Sequence, residues 1–226
     1  MKSVLIRMCL LASVLSSAPV VARAAEGYGD SLRAGDAALA AGKSDVALQE
    51  FESAVSQSKS DGERSLALGK KGYVLAFVKQ DYAKAREAAE KALEVEQLAP
   101  VARVTGLQVL SQCQMKADKD FAAAQENLQK AMALEGVDWA KPALALSLGD
   151  CYRSNGDLDK ALETYQSILA MEKAAPNIKA GAHLCSGFIF QYDRKDADAA
   201  RKCYASAVSL RPDLKKEVDG HLSRLQ

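Results

Sequence analysis

A helical segment of one design recurs five times along the chain, and this repetition is the strongest constraint on the fold. Each copy has apolar residues at helical spacing, so one of its faces is apolar. An alanine lies near the start of each copy, and these alanines are 38, 39, 37 and 39 residues apart, at Ala47, Ala85, Ala124, Ala161 and Ala200. A period of this size indicates stacked helical hairpins that share one core.

Each repeated segment is preceded by a residue that can cap a helix. Ser44 stands there in the first copy, and aspartates stand there in the others, at Asp81, Asp120, Asp157 and Asp196. A side-chain oxygen at this position accepts a hydrogen bond from a free N–H group of the first turn, which stabilises the helix by ~1 kcal/mol. We therefore expect a helix to begin directly after each of these five residues.

The fourth copy, together with the helix before it, resembles the tetratricopeptide repeat. The matching residues are Leu148-Gly149, Tyr152, Gly156-Asp157, Ala161, Tyr165 and Leu169, at the family's own spacing. The other copies keep parts of the pattern, at Gly35 with Gly42, Gly72-Tyr73, Gly187-Phe188 and Arg211-Pro212. The resemblance covers about residues 28–212 and implies that each repeat is a helical hairpin.

We predict an all-α protein, a right-handed superhelical solenoid of about five tetratricopeptide-like hairpins with a C-terminal capping helix at residues 213–226. Composition agrees, because the hydrophobic residues lean on the helix formers alanine and leucine. The hairpins are expected at residues 28–62, 63–99, 100–137, 138–176 and 177–212. Their spacing exceeds the family's period of about 34 residues. We expect the surplus in the joints at residues 56–63, 96–104, 135–141 and 172–180.

The first 24 residues have the pattern of an export signal. Lys2 and Arg7 carry positive charge, residues 8–15 are a short apolar stretch, and Ala22-Arg23-Ala24 is an A-x-A cleavage site. Cleavage after Ala24 predicts an exported, soluble protein that is periplasmic or secreted. The alternative is a mitochondrial transit peptide, which is typically amphipathic and Arg-rich. No later run approaches the roughly twenty apolar residues that span a bilayer, so no membrane span is expected.

The charge balance argues against nucleic acid as a partner. Cleavage removes Lys2, Arg7 and Arg23, which are three of the 30 basic side chains, and none of the 29 acidic ones, so the net charge becomes about −2. A protein that binds a phosphate backbone or an anionic membrane surface needs a basic stripe, and none remains.

Four cysteines follow the signal segment: Cys113, Cys151, Cys185 and Cys203. An even number in an oxidising compartment suggests disulfides, and Cys185 and Cys203 fall on the two helices of one hairpin. A Cys185–Cys203 disulfide is therefore one interpretation. The alternative is four buried thiols that act as small hydrophobic residues, since a disulfide requires Cα atoms within about 6 Å.

The residues needed for catalysis or metal binding are not found together in the sequence. His183 and Cys185 lie two positions apart on a predicted helix and therefore point to different faces. Neither histidine belongs to a nucleophile motif, and the chain has no Gly-rich phosphate loop. We predict no catalytic residues, no metal and no cofactor.

The resemblance implies a groove lined by the first helix of each repeat, which would bind a protein or peptide. Alignment with the family places these residues there: Leu32, Leu39, Lys70, Val74, Phe77, Gln108, Met115, Leu146, Asp150, Arg153, Phe188 and Tyr192. Such a mainly apolar groove suits a helix or an extended peptide with hydrophobic anchors. The alternative is that several of them, Val74 and Leu146 included, are core residues and that the register is wrong by one.

The sequence favours a non-enzymatic interaction scaffold that is exported and binds a protein or peptide in its groove, in envelope assembly or secretion. One alternative is a structural protein that associates with itself through its terminal hairpins, although the capping helix argues against open stacking at one end. The other alternative is a small helical metal carrier or enzyme, which would need convergent polar groups.

Overall fold

The computed structural model describes residues 27–95 and 98–225, and in this part of the chain the regular elements are all helices. The predicted export signal at residues 1–24 lies outside the described residues. The α-helices are α1 (Tyr28–Ala40), α2 (Ser44–Gln57), α3 (Asp61–Tyr73), α4 (Tyr82–Leu93), α5 (Pro100–Cys113), α6 (Phe121–Met132), α7 (Lys141–Asn155), α8 (Leu158–Ala170), α9 (Pro176–Phe188), α10 (Ala197–Leu210) and α11 (Lys215–Leu222).

The helices pair in chain order into five hairpins, and the described chain divides into two compact units after Val137. The first unit contains the hairpins α1–α2, α3–α4 and α5–α6. The second unit begins at Asp138 and contains the hairpins α7–α8 and α9–α10, followed by α11. None of the helices in the described part of the chain combines the length and the apolar character that a membrane crossing requires.

In three hairpins a glycine of the first helix lies against an aromatic ring of the second. A Cβ atom at Gly35 would lie 2.5 Å from Phe51, and one at Gly149 would lie 2.4 Å from Tyr165. The third pair, Gly187 with Tyr204, is equally close at 2.5 Å. All three rings are fully buried. The small residue of the repeat pattern therefore sets how closely the two helices of a hairpin approach.

Three of the five predicted caps form. The side chains of Asp81, Asp120 and Asp196 each accept a hydrogen bond from the N–H group three residues later, at 3.2, 3.0 and 2.9 Å. The prediction is wrong for Asp157, because its carboxylate instead accepts from the side-chain amide of Asn155 at 2.9 Å. It is also wrong for Ser44, because Ser44 is the first residue of α2 and the N-cap position is held by Lys43, whose side chain forms no capping hydrogen bond.

The first helices of hairpins two, three and five end in a π-helical turn, at Val74–Lys79, Gln114–Asp118 and Ile189–Arg194. The residue after each turn has a left-handed backbone, with φ of 60°, 61° and 57° at Gln80, Lys119 and Lys195. Hairpins one and four end their first helices with a left-handed glycine instead, at Gly42 and Gly156.

The π-turns contain part of the extra repeat length. The sequence pattern predicted all of it in the joints between hairpins. Lys195 follows the packed glycine Gly187 by eight positions, whereas Gly156 follows Gly149 by seven. A π-turn accommodates one additional residue within a helix. The placement of the entire surplus between repeats was therefore wrong, and the described residues of the joints are 58–60, 94–95 with 98–99, 133–140 and 171–175.

An ion pair connects each π-turn to the second helix of the preceding hairpin. The last residue of the turn supplies one partner, and the pairs are Lys79 with Asp45, Asp118 with Arg86, and Arg194 with Asp159. Such surface pairs each stabilise by about 0–1 kcal/mol. Their common position shows that successive hairpins within each unit meet in the same way.

The left-handed lysine after the third π-turn provides a stability test. We expect Lys195→Gly to raise the free energy of unfolding by about 0.5–1 kcal/mol. Removing the side chain relieves the cost of a left-handed backbone, which is about 1–2 kcal/mol. Part of this gain is lost because glycine increases the conformational entropy of the unfolded chain. The reciprocal change Gly156→Ala, in the same unit, should destabilise. Urea denaturation measures both, and a less stable Lys195→Gly protein would contradict the expectation.

One joint exposes a large aromatic residue. Trp139, the only tryptophan of the chain, lies in the segment before α7 and is 61% exposed, whereas the nearby Val137 is fully buried. In this segment, therefore, the Val137 side chain lies in the core while the indole of Trp139 is exposed to solvent.

Candidate partner-binding site

In the first unit, the structure divides the seven predicted groove residues into surface and core. Leu32 and Leu39 of α1 are half-buried and pack on the core around Phe51. Lys70 and Phe77 are also half-buried. The remaining three, Val74, Gln108 and Met115, are 0, 7 and 2% exposed. Their prediction as groove-lining residues was wrong, because these side chains lie in the interior of the unit.

The surface next to Val74 is formed by its neighbour Tyr73, which sequence reasoning did not select. The rings of Tyr73 and Phe77 stack with their centroids 4.5 Å apart and their planes 23° apart. Both are half-buried and pack on the core between the second and third hairpins. Two aromatic residues four positions apart lie on one helix face, so this spacing was the sequence signal that could have identified the pair.

Lys70 is committed to an ion pair within the unit. Its Nζ atom lies 2.7 and 3.0 Å from the two carboxylate oxygens of Asp36, which joins α3 to α1. The same Nζ atom is 5.9 Å from the centre of the Phe51 ring. The predicted basic residue of this unit therefore links two first helices, and its charge is already balanced.

In the second unit, Leu146 is 3% exposed and is a core residue, which corrects its prediction as a groove residue. Asp150 accepts a hydrogen bond of 2.7 Å from the Tyr165 hydroxyl. The guanidinium of Arg153 lies 3.6 Å from the same carboxylate oxygen. Burial raises the pKa of Tyr165 well above its usual value, and the charge of Asp150 raises it further. The tyrosine therefore stays protonated and donates to the carboxylate.

Phe188 and Tyr192 also lie in the second unit, where the C-terminal helix contacts both rings although Tyr192 remains 36% exposed. The ring of His221 in α11 lies 4.8 Å from the Phe188 ring and 6.0 Å from the Tyr192 ring, centre to centre. The Tyr192 hydroxyl is 2.8 Å from Nδ1 of His221. Burial lowers the pKa of His221, and Arg224 lowers it further. The neutral imidazole is thus favoured as the hydrogen-bonding partner of Tyr192.

The predicted Cys185–Cys203 disulfide is not formed in the structure, where both side chains are thiols. Burial raises the pKa of Cys203, and Asp196 raises it further. Cys113 is fully buried, and burial raises its pKa to about 11. Both shifts favour the protonated thiol over the reactive thiolate.

A cleft of about 440 Å³ lies between α8, α9 and α10, and sequence reasoning did not find it. Leu162, Leu169 and Phe190 provide apolar lining, and His183 and Cys203 provide polar groups. Burial lowers the pKa of His183. Within residues 27–95 and 98–225, no three His, Cys, Asp or Glu side chains are grouped so that they could hold a metal ion.

Repeated helical hairpins in which a small residue of the first helix packs against an aromatic ring of the second define a class of protein-interaction repeat. The tetratricopeptide repeat profile matches residues 32–102 and 117–177, which together make up more than half of the chain. The chain belongs to the tetratricopeptide repeat family.

Solved structures show the same fold. A thermophilic tetratricopeptide repeat protein of Thermus thermophilus superposes with a TM-score of 0.69 at 24% identity, over 87% of this chain and 100% of its own. A putative kinesin light chain of Podospora anserina with nearly identical repeats has a TM-score of 0.56 at 14% identity, over 84% of this chain and 96% of its own. The predicted all-α repeat fold is confirmed. No curated protein matches the chain significantly.

Proposed function

We propose that the protein is a non-enzymatic scaffold that binds a protein or peptide on the face that the first helices form within its first unit. Membership of the tetratricopeptide repeat family supports an interaction role. The stacked pair Tyr73 and Phe77 carries the proposal, because it gives α3 and its π-turn an aromatic surface that is half-accessible. Aromatic side chains are enriched among the residues that dominate binding energy at protein interfaces.

The same surface indicates the chemistry of the partner. Leu32 and Leu39 add half-buried apolar side chains on α1, while the nearest predicted cation, Lys70, is balanced by Asp36. An acidic peptide would have to compete with Asp36 for that ammonium group. We therefore propose that the partner binds through hydrophobic anchors rather than through a run of acidic residues.

A non-enzymatic role is supported by the state of the nucleophilic and basic groups. Cys113 and Cys203 have raised pKa values, so the thiol form is favoured at neutral pH. The Nδ1 atom of His221 is hydrogen-bonded to Tyr192. These groups therefore serve packing rather than nucleophilic or general-base chemistry.

Export to the periplasm or the medium is proposed from residues 1–24 alone, and a role in envelope assembly or secretion follows from that location. Fractionation of cells that produce the full chain tests this part. A mature protein beginning at Ala25 in the exported fraction supports it, and an uncleaved protein retained with cytoplasmic markers contradicts it.

The binding face is tested by crosslinking and capture from extracts with a Tyr73→Ala, Phe77→Ala protein. We expect roughly tenfold less of the specific partner than with the parent chain, a loss of about 1.4 kcal/mol in binding. The matched control is Val46→Ser, because Val46 is an apolar residue of the same unit that is 43% exposed on a second helix.

Circular dichroism and thermal unfolding establish that both variants keep the fold. Equal capture by the double variant and the parent would contradict the proposed face. Light scattering over a range of concentrations distinguishes self-association, since a size that increases with concentration would indicate that the partner is a second copy.

A further inference from the structure

The C-terminal helix lies across the aromatic surface of the fifth hairpin. The side-chain amide of Gln191 donates to the backbone carbonyl of His221 at 2.8 Å, and the hydroxyl of Tyr204 donates to Gln191 at 2.6 Å. The imidazole of His221 stacks on the Tyr204 ring at 5.8 Å and contacts Phe188. Residues predicted to face a partner thus contact a helix of the chain itself.

This helix docks through a regular apolar stripe. Leu214 and Val218 are 8 and 2% exposed and belong to the core cluster of the hairpin, which also contains Leu184 and Tyr204. Leu222 is half-buried against the same cluster. The positions i, i+4 and i+8 place these three side chains on one helix face. The surface beneath therefore accepts an amphipathic helix.

Two features make the docked helix replaceable. At eight residues, α11 is shorter than the roughly 12–15 residues that an isolated helix needs, so it depends on docking for its structure. Its Glu217 is also poorly accommodated, because one carboxylate oxygen is buried and accepts no hydrogen bond. Burial raises the pKa of Glu217, which shows that the charged form is disfavoured there. The charge of Arg211 acts in the opposite direction but does not cancel the shift. Burying a carboxylate oxygen that accepts no hydrogen bond opposes docking.

We propose that this surface of the fifth hairpin is a docking site for an amphipathic helix of a partner protein, and that residues 212–225 occupy it until such a helix displaces them. The partner helix would carry large apolar residues at i, i+4 and i+8. At the position of Glu217 it would carry a neutral residue, because that removes the buried charge. The inference rests on the proposed function only in taking the first helices as the binding face.

A labelled peptide with the sequence of residues 211–225 tests the proposal by fluorescence anisotropy. The acceptor is the full chain with Val218→Asp and Leu222→Asp, which detaches the native helix. We expect this variant to bind the peptide at least roughly tenfold more tightly than the parent chain, whose surface is occupied. A peptide carrying Glu217→Gln should bind the variant more tightly than the native peptide, since it buries no charge.

The matched control is Lys216→Asp, a charge change at an exposed position of α11, which should bind the peptide as weakly as the parent. Equal binding to parent and variant, or no binding to a variant whose circular dichroism shows an intact second unit, overturns the proposal. If the variant unfolds, hydrogen exchange on the parent decides. Amides of α11 must exchange roughly tenfold faster than those of α10, and equal exchange overturns the proposal.

The test separates this inference from the proposed function. The peptide assay contains no external partner and reports only on the fifth hairpin, whereas the capture experiment reports on Tyr73 and Phe77 in the first unit. Peptide binding, together with equal capture by the parent and the Tyr73→Ala, Phe77→Ala protein, would leave the docking surface standing and reject the first-unit face. Capture that the double variant loses, without peptide binding, would do the reverse.

Discussion

Gly149→Ala is expected to lower the free energy of unfolding by about 2–3 kcal/mol, although it adds only a single methyl group. The added Cβ atom would lie 2.4 Å from Cε1 and 2.8 Å from Cδ1 of Tyr165. That ring cannot move aside easily, because it is fully buried and its hydroxyl is hydrogen-bonded to Asp150. The strain therefore outweighs the gain of about 1 kcal/mol that alanine brings to a helix interior.

Urea denaturation, followed by circular dichroism, measures the effect. Gly220→Ala is the matched control, because Gly220 lies in a helix of the same unit and a Cβ atom there would meet nothing within 4 Å. It should be neutral or slightly stabilising. A Gly149→Ala protein as stable as the control would show that α7 and α8 can separate without loss, which would contradict the role of the glycine in spacing them.

Tyr165→Phe should lower the free energy of unfolding by about 2 kcal/mol, although it removes a single oxygen atom. The deleted hydroxyl donates 2.7 Å to Asp150, whose side chain is only 15% exposed. The closest remaining partner of that oxygen is Arg153 at 3.6 Å, beyond a normal hydrogen bond. The variant therefore leaves a largely buried carboxylate without its donor.

Tyr152→Phe is the control for this variant. Tyr152 lies on α7 as Asp150 does, but its ring interacts with the Lys160 ammonium, 5.7 Å from the ring centre, and phenylalanine keeps a ring there. We expect a change of less than about 0.5 kcal/mol. Comparable losses in the two variants would indicate a general response to removing a hydroxyl from this helix, and the Asp150 hydrogen bond would then have no special role.

The repeat pattern predicted the hairpin fold because it consists of residues whose size determines how closely two helices pack. Gly149 and Tyr165 match the family pattern, and the structure shows why, since the ring fills the space that a side chain at the glycine would occupy. The sequence also predicted the aspartate caps at Asp81 and Asp120 correctly, because a local hydrogen bond determines where each helix begins. Local chemistry of this kind can be read from spacing.

The binding surface was harder to predict because it depends on rotation about a helix axis. Successive residues of a helix point about 100° apart. The prediction selected Val74, which lies in the core, whereas its neighbour Tyr73 lies at the surface. The π-turns add a residue within the helix and shift this register further. Phe188 and Tyr192 were expected to line a groove open to a partner, but the contact of Tyr192 with His221 comes from a segment 29 residues further along the chain.

The exposed Trp139 gives the protein an unusual optical property. Because the indole is 61% exposed while the protein is folded, unfolding transfers it from one aqueous environment to another. The fluorescence of Trp139 should therefore change little when the chain unfolds. A melting curve recorded from tryptophan emission would show only a small part of the transition. The same insensitivity is useful in binding experiments, where a blue shift of the emission would report a molecule that covers the segment before α7.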